Sequence, residues 1–582
     1  MLDNLAVAKI LSEIGEYLAM SNEFFKARAY RHAAATIAEL PEALSLVYAR
    51  GGVSAIEAIP GVGVSIAEKI IELLMTGRCV YYDELRHKTP VDLSELSGVE
   101  GLGPKKIKLL YEKLRVRTLA DLERVARAQK IRMLEGFGEK TEVNILRSIA
   151  FLKTGQGRFL LGDALPQVRV MLDTLRAQPF VSRAEVAGSI RRRKETVGDA
   201  DIVVIAKRPK EAMDFFVAMP NVAHVLAHGD TKSAVKLANG LQVDLRVVPE
   251  ESYGAALNYF TGSKEHNIAL RQRAIERGLK LNEYGVFKLK NKNEEIRIGG
   301  ASEEEIYDAL GLDYIPPELR EMTGEIAASE SHALPTLIDY DDLQGDLQVQ
   351  TNWTDGSHSI EEMARSAMKA GLRYIAITDH TKRLAMTHGL DASRVALQIK
   401  EIQSLNQKIK KTENKEFRIL SGSECDILKD GSLDLPDEIL KQLDVVGVSV
   451  HSFFALSSSE QTARVCRAME NPHADILFHP TGRRIGRRPP YIIDIDAVIA
   501  YAKQTKTVLE IDAFPDRLDL RDEYIRKCID AGVSLSIDSD AHAAEHFSVL
   551  EFGIAQARRG WATKHAIINT LPCDLMLDRL KK

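Results

Sequence analysis

Apolar and polar positions follow two different rhythms along the chain. The opening MLDNLAVAKILSEIGEYL (1–18) has the spacing of an amphipathic helix, and helical periodicity continues to about residue 150, broken by short glycine-containing turns. From about 160 to 300 the pattern changes to short β-branched runs, ADIVVIA (200–206) and LQVDLRVV (241–248), mixed with helices. That alternation predicts an α+β region. DYIPPELR (313–320) and the small, acidic TGEIAASESHALP (323–335) then read as a linker. Beyond 340, strands ending in His or Asp alternate with helical segments: YIAITDH, DVVGVSVHS, ILFHP, TVLEIDA and VSLSIDSDAH. This is the pattern of an α/β barrel whose site gathers at the C-terminal strand ends.

Length and composition narrow the possibilities. A chain of 582 residues exceeds one core, so several domains are expected. No apolar run approaches the roughly 20 residues of a membrane span, and the acidic first helix is not a signal peptide. Five scattered cysteines without a C-x-x-C pair argue against a disulfide framework and fit a reducing cytoplasm. The net charge of -5 does not itself announce a nucleic-acid partner, but KKIK (105–108), RRRK (191–194) and Arg271, Arg273 and Arg277 form local basic patches.

Two segments, IPGVGVSIAEKI (59–70) and LSGVEGLGPKKI (96–107), place paired glycines directly before a helix: Gly61 and Gly63, then Gly101 and Gly103, the latter followed by Lys105. Glycine lets backbone N–H groups approach a phosphate closely, and the helix N-terminus adds partial positive charge. One such segment is equally an ordinary glycine-capped turn. Two copies, with a looser third in LEGFGEKTE (134–142), point to sequence-independent DNA binding. Lys69 follows the first hairpin, near the basic stretch KARAYRHAA (26–34). It fits a phosphate contact; a Schiff-base nucleophile would need a partly desolvated amine.

The segment GSIRRRKETVGDADIVVIA (188–206) carries the chemistry most plainly. Asp199 and Asp201 alternate on one strand and therefore share a face. Asp244 lies on another strand, in QVDLRVV. Three carboxylates on adjacent strands can hold two Mg²⁺ or Mn²⁺ ions, one at an attacking hydroxyl and one at a triphosphate. Gly188, Ser189 and Arg192 offer N–H, hydroxyl and guanidinium groups to the phosphates.

With the hairpins before it and YFTGSKEHNIALRQRAIERGLKLNEYGVF (259–287) after it, the chain resembles the family X DNA polymerases of the bacterial kind with a C-terminal PHP domain. The resemblance implies a multidomain fold: all-α helix-hairpin-helix N-terminal domains, an α+β nucleotidyltransferase palm and thumb, and a distorted α/β (PHP) barrel. The boundaries would be a lyase-like domain at 1–88, fingers at 89–155, palm at 156–258, thumb at 259–316, linker at 317–340 and PHP at 341–575. It implies a monomer acting on gapped or primer-template DNA and deoxynucleoside triphosphates, in repair, by template-dependent synthesis. It places Asp199, Asp201 and Asp244 as metal ligands, and Gly188, Ser189, Arg192 and Gly198 at the triphosphate, with Arg158 a further contact. Tyr259, Phe260 and Gly262 would meet the sugar and Asn267 the base edge. Lys264 and His266 would help hold the nucleotide, and Arg271 would reach the template strand. Lys69 falls at the family's lyase lysine, but Ser65 and the CVYYDEL after the helix are less basic than that pattern.

For the PHP part the resemblance implies up to three metals, Mn²⁺ or Zn²⁺, held by Asp355, His380, Glu424, His451, His479, Asp540 and His542. The family's opening H-x-H is replaced by Gln348 and Gln350 in GDLQVQTNWTDG. An amide oxygen is a poorer ligand than imidazole, so the metal position they would share with Glu424 and Asp540 is expected to be weakened and the nuclease impaired. Two other readings stand beside it. One is a bifunctional enzyme with a working Mn²⁺-dependent 3'-5' exonuclease or AP endonuclease. The other is a DNA-end-binding scaffold with vestigial catalysis.

Overall fold

The computed structural model describes residues 4–38, 40, 44–97, 99, 102–154, 157–291, 294–383, 387–412 and 416–581. The chain divides into two compact units, Met1–Gln156 with Gly486–Pro489, and Gly157–Ile485 with Pro490–Lys582.

The first unit is helical, as its periodicity predicts: α1 (Asn4–Met20), α2 (Phe24–Ala38), α3 (Leu44–Glu57), α4 (Val64–Thr76), α5 (Val80–Lys88), α6 (Leu93–Leu96), α7 (Pro104–Leu114), α8 (Leu119–Arg127) and α9 (Glu139–Thr154). On α4 the buried set is Ile66, Ala67, Ile70, Leu73 and Leu74, the i, i+3, i+4 stripe of a helix lying on a core. α4 stops at Gly77, whose φ of 71° gives the left-handed cap that a side chain would resist.

The second unit opens with β1 (Phe159–Leu160), α10 (Leu161–Arg176), β2 (Val181–Val186), α11 (Gly188–Arg191), β3 (Thr196–Val197), β4 (Asp199–Ala206), α12 (Pro209–Val217), β5 (Val222–His228), β6 (Lys232–Leu237) and β7 (Gln242–Val247). A five-stranded sheet runs β2-β4-β7-β6-β5, with β4 and β7 parallel and the other pairs antiparallel. Helices α13 (Tyr253–Thr261), α14 (Lys264–Glu276) and α15 (Glu303–Ala309) flank a three-stranded antiparallel sheet of β8 (Leu279–Asn282), β9 (Gly285–Asn291) and β10 (Glu294–Gly299).

The C-terminal part is a seven-stranded parallel sheet in chain order: β11 (Gly345–Val349), β12 (Tyr374–Ile377), β13 (Arg418–Asp426), β14 (Val445–Ser449), β15 (Ile476–Leu477), β16 (Val508–Asp512) and β17 (Leu535–Asp538). Nearly every strand residue is buried, as in a sheet covered on both faces. A parallel bridge between Val349 and Ala541 brings the first strand back to the last, giving a nearly closed barrel. The core of the five-stranded sheet also takes in Leu518 and Phe552 from the barrel.

The stretch expected as a linker, 317–340, is instead packed structure. It contains α16 (Glu325–Glu330), and Leu319, Arg320, Glu325, Ser329 and Ile338 are buried. Its small polar composition looked tether-like because the partners that satisfy it are remote in sequence. Arg320 donates to Glu303 Oε1 at 2.6 Å, and Arg191 pairs both Glu303 oxygens at 2.9 and 2.6 Å. Burial pushes the Glu303 carboxyl up, but Arg320 and Arg191 outweigh it and lower it to about 2.

A depressed folded value means stability present above the unfolded carboxylate range and lost as pH falls through about 2. The window therefore runs from about pH 4.5 down to about 2, and the contribution is roughly 3 kcal/mol. Glu303→Gln leaves the buried Arg320 and the half-buried Arg191 guanidinium groups uncompensated and is expected to cost about 3–5 kcal/mol. Urea denaturation followed through Trp561, which packs in the same cluster as Tyr307 and Leu319, checks this. An unchanged midpoint would mean the triad is energetically neutral.

Candidate functional site

β4 and β7 run parallel with Asp201 directly opposite Asp244, and Asp199 lies two residues before Asp201 on the same face. The three carboxylates that the spacing singled out are thus brought together. Burial first, then the charges of Asp199 and Asp244, push the Asp201 carboxyl up to about 6. That mutual repulsion is relieved by a multivalent cation, and an all-carboxylate donor set suits Mg²⁺ or Mn²⁺. Part of the charge is balanced within the protein. Lys232 Nζ lies 2.9 Å from Asp244 Oδ2, and Gln242 Nε2 donates to Asp244 Oδ1 at 2.8 Å. Sequence reading missed Lys232 and Gln242. The signal for Lys232 lies in the pairing of β6 with β7, which no local motif encodes, whereas Gln242 stands two residues before Asp244 on β7 and shares its face by alternation.

The chain turns at Gly188, at φ 63°, straight after β2. A Cβ there would meet Asp201 Oδ2 at 2.8 Å, so the turn can approach the carboxylates only as glycine. The residue before it is tied down by the Ala187 N–H, which donates to the Asp201 carbonyl at 2.7 Å. Ser189 follows on α11. Arg192 donates through Nε to Glu321 Oε1 at 3.0 Å and through Nη1 to the Thr261 carbonyl, which links the basic loop to the 259–262 segment. Gly262 lies against that guanidinium. Arg158 donates to Thr196 Oγ1 at 2.9 Å, beside Gly198.

Tyr259 and Phe260 meet edge to face, and the Arg246 guanidinium lies 4.1 Å from the Phe260 ring. Asn267 Nδ2 donates to the Tyr259 carbonyl at 2.7 Å, and Arg271 stands one turn further along α14. Lys264 is exposed at the start of that helix. His266 is a correction. It is fully buried, with Nδ1 2.8 Å from Glu325 Oε1 and Nε2 3.1 Å from the Tyr307 hydroxyl, so it cannot touch a nucleotide. One residue before Asn267 on α14, it is turned about 100° from it, into the protein interior, and anchors the helix.

In the barrel, Asp355, His380 and His542 form one group, and His380, Glu424 and His451 a second. His479 Nε2 lies 2.8 Å from Glu424 Oε1, and His451 Nε2 3.1 Å from the same atom. Burial alone would lower His451, but Glu424 and Asp426 outweigh it and push it up to about 9. Imidazole and carboxylate donors in this number fit Mn²⁺ or Zn²⁺. The position shared by Gln348 and Gln350 does not fit. Gln350 Nε2 donates to Glu424 Oε2 at 2.9 Å. With its amide nitrogen towards Glu510, Gln348 donates at 2.5 and 3.2 Å. The Gln350 amide oxygen has no hydrogen-bond partner among the described residues and is a weak substitute for two imidazoles. Arg517, unforeseen from sequence, sets Nη2 3.4 Å from Asp540 Oδ2 and Nε 3.3 Å from Asp512 Oδ2. A guanidinium thus already neutralises the Asp540 carboxylate.

In the helical unit, Gly61 (φ 79°) and Gly63 lead into α4, and Gly103 leads into α7 with Pro104 and Lys105 in its first turn. Neither helix has a side-chain cap at its N-terminus. Gly101 lies outside the described residues. Lys69 Nζ lies 3.4 Å from Ser65 Oγ and 3.3 Å from Glu68 Oε2, and 5.8 Å from the Tyr81 ring centre.

Comparison with known proteins follows the same divisions. Family models match residues 2–79 (helix-hairpin-helix domain), 93–150 (SAM-like helix-hairpin-helix tandem), 256–321 (DNA polymerase beta thumb) and 346–514 (PHP domain). The chain is 38% identical over 566 residues to the DNA polymerase/3'-5' exonuclease PolX of Bacillus subtilis, covering 97% of this chain and 96% of that protein. The chain is also 30% identical over 237 residues to a probable phosphatase of Thermoanaerobacter sp., covering 38% of this chain and 90% of that protein. It is 26% identical over 228 residues to a probable phosphatase of Acetivibrio thermocellus, covering 84% of it. No described helix is long and apolar enough to cross a membrane.

Proposed function

The chain belongs to the family X DNA polymerases that carry a PHP domain, and from that premise we propose that it fills short gaps in DNA during repair, as a monomer, by two-metal nucleotidyl transfer. The observation that carries the reading is the parallel register that sets Asp201 opposite Asp244, with Asp199 on the same face. These three hold divalent cations, Mg²⁺ or Mn²⁺. Such ions lower the pKa of a bound hydroxyl and neutralise a developing phosphate charge. The protein's own groups do the rest. Ser189 and Arg192 hold the triphosphate, with Gly188 and Gly198 allowing close approach. Tyr259, Phe260 and Gly262 border the sugar, Asn267 the base edge and Arg271 the template strand, while the hairpins at Gly61, Gly63 and Gly103 grip backbone phosphates. Lys69 is a phosphate contact in this reading, since Ser65 and Glu68 engage its amine.

The PHP nuclease is silent in the same reading. Its Asp355, His380, His542, Glu424, His451 and His479 cluster keeps the ability to bind metal, but Gln348, Gln350 and Arg517 disable the remaining position. The intact cluster favours one second reading, a working 3'-5' exonuclease like that named for the Bacillus relative.

A gapped duplex with a 5'-labelled primer and Mn²⁺ separates them. Extension with deoxynucleoside triphosphates and an intact primer without them are expected. A primer that shortens, and no longer does so in Asp540→Ala, would establish the exonuclease instead. A primer that never extends would overturn the polymerase reading.

A further inference from the structure

The basic loop after Ser189 is held from the barrel side at several points. Arg559, the last residue of the helix Leu550–Arg559, is almost fully buried; its Nη1 donates to the Arg192 carbonyl at 2.8 Å and to Glu321 Oε1 at 3.1 Å. Its Nη2 pairs with Asp522 at 2.5 Å. The same Glu321 Oε1 accepts from Arg192 Nε at 3.0 Å and lies 3.8 Å from Lys194 Nζ. Burial raises the Glu321 carboxyl, but Arg559 and Arg192 outweigh it and lower it. At the far end of the loop, Arg483 Nη2 reaches Glu195 Oε2 at 2.7 Å and is itself fixed on the Leu518 carbonyl. Tyr340 lies against Arg193. Beneath these contacts the two parts share apolar packing, since Phe552 and Leu518 enter the palm core and Trp561 the thumb core.

A continuous path therefore runs Asp522–Arg559–Glu321–Arg192–Thr261. Both its ends are anchored, and Arg559 grips the main chain of Arg192 as well as its ion-pair partner. A guanidinium fixed through Nε and Nη1 keeps Nη2 as a donor that neither contact uses, and it binds phosphate without first losing rotamer freedom.

We propose that Arg559 and Glu321, with Arg483 at the loop's other end, are positioning residues for nucleotide binding: the PHP barrel fixes the triphosphate loop of the palm. The barrel then serves polymerisation directly, whatever its own metal site does. This rests on Ser189 and Arg192 being the triphosphate contacts.

Steady-state insertion of one nucleotide into a gapped duplex tests it, with Arg559→Gln, Arg559→Lys, Arg483→Gln and Glu321→Gln measured beside the unmodified protein. Arg559→Gln is expected to raise the KM for the deoxynucleoside triphosphate about tenfold, the scale of one charge-assisted hydrogen bond. The kcat should change less than about threefold, since the contact is equal in ground and transition states. DNA affinity should hold, Arg559→Lys should recover part of the loss, and Arg483→Gln and Glu321→Gln should move KM the same way. Folded variants with an unchanged KM overturn the proposal, as does a parallel fall in kcat and DNA affinity, which would mark general loosening. If Arg559→Gln does not fold, the other two variants decide. Arg192→Ala separates the two layers. If it leaves the nucleotide KM unchanged, the triphosphate reading fails; if it raises KM while the Arg559, Arg483 and Glu321 changes do not, only the positioning role fails.

Discussion

An Asp244→Ala protein is expected to bind gapped DNA as before and to extend its primer at least on the order of a thousandfold more slowly. Cation stabilisation of phosphoryl transfer is worth several kcal/mol, and each 1.36 kcal/mol is a factor of ten in rate. Asp201 and Asp244 face each other across the β4–β7 pair, so removing Asp244 would take one carboxylate from the proposed cation site. The fold should tolerate it. Lys232, its salt-bridge partner, is 44% exposed and regains water when the carboxylate goes. Asp201 loses one of the two like charges that raise it. Rapid-quench extension together with DNA titration checks both halves. A rate within about tenfold of the parent would remove these aspartates from the chemistry.

The second large effect is expected from restoring imidazoles to the barrel. Gln348→His with Gln350→His should add one tightly held Mn²⁺ per chain. It should also turn an intact primer into a shortened one in the absence of nucleotides. The substitution releases Glu424 Oε2 from the Gln350 amide and supplies two good donors where there was one weak one. Adjustments around metal ligands alone typically change affinity about 10- to 100-fold, so replacing ligands should change it at least as much. Bound manganese, counted by elemental analysis after desalting, reads the first half without reference to activity. If the double variant gains neither metal nor cleavage, the glutamines are not the obstacle. Arg517 on Asp540 then becomes the residue to remove.

What could be foreseen from the sequence was whatever a local repeat encodes. Alternation on a strand puts Asp199 and Asp201 on one face, and strands ending in His or Asp bring the barrel's donors to one rim. Glycines placed before helices foretold the turns at Gly61, Gly63 and Gly103. His266 was misjudged because it adjoins Lys264 and Asn267 in sequence. One residue along a helix is a rotation of about 100°, enough to turn it from the surface into Glu325 and Tyr307. The 317–340 stretch was taken for a tether because Arg320 and Glu325 look like surface charges until Glu303 and His266 are placed beside them. Arg517 and Arg559 stand in no motif that was singled out, and Arg483 only closes the FHPTGR segment around His479. Arg517 reaches Asp540, Arg483 reaches Glu195 and Arg559 reaches Arg192, pairs 23 to 367 residues apart that only the folded chain brings together.

The seating of Phe552 in the palm core has a consequence for how the chain is made. The last palm strand ends at Val247, about 300 residues earlier. At ribosomal speeds of about 5–20 residues per second, the palm waits roughly 15–60 s for a side chain that completes its interior. Its folding is thus not finished domain by domain from the N-terminus. A message cut short within the final barrel helices would release a chain with every palm aspartate present and an apolar gap in the palm. Such a product is a substrate for chaperones and proteases rather than a smaller polymerase.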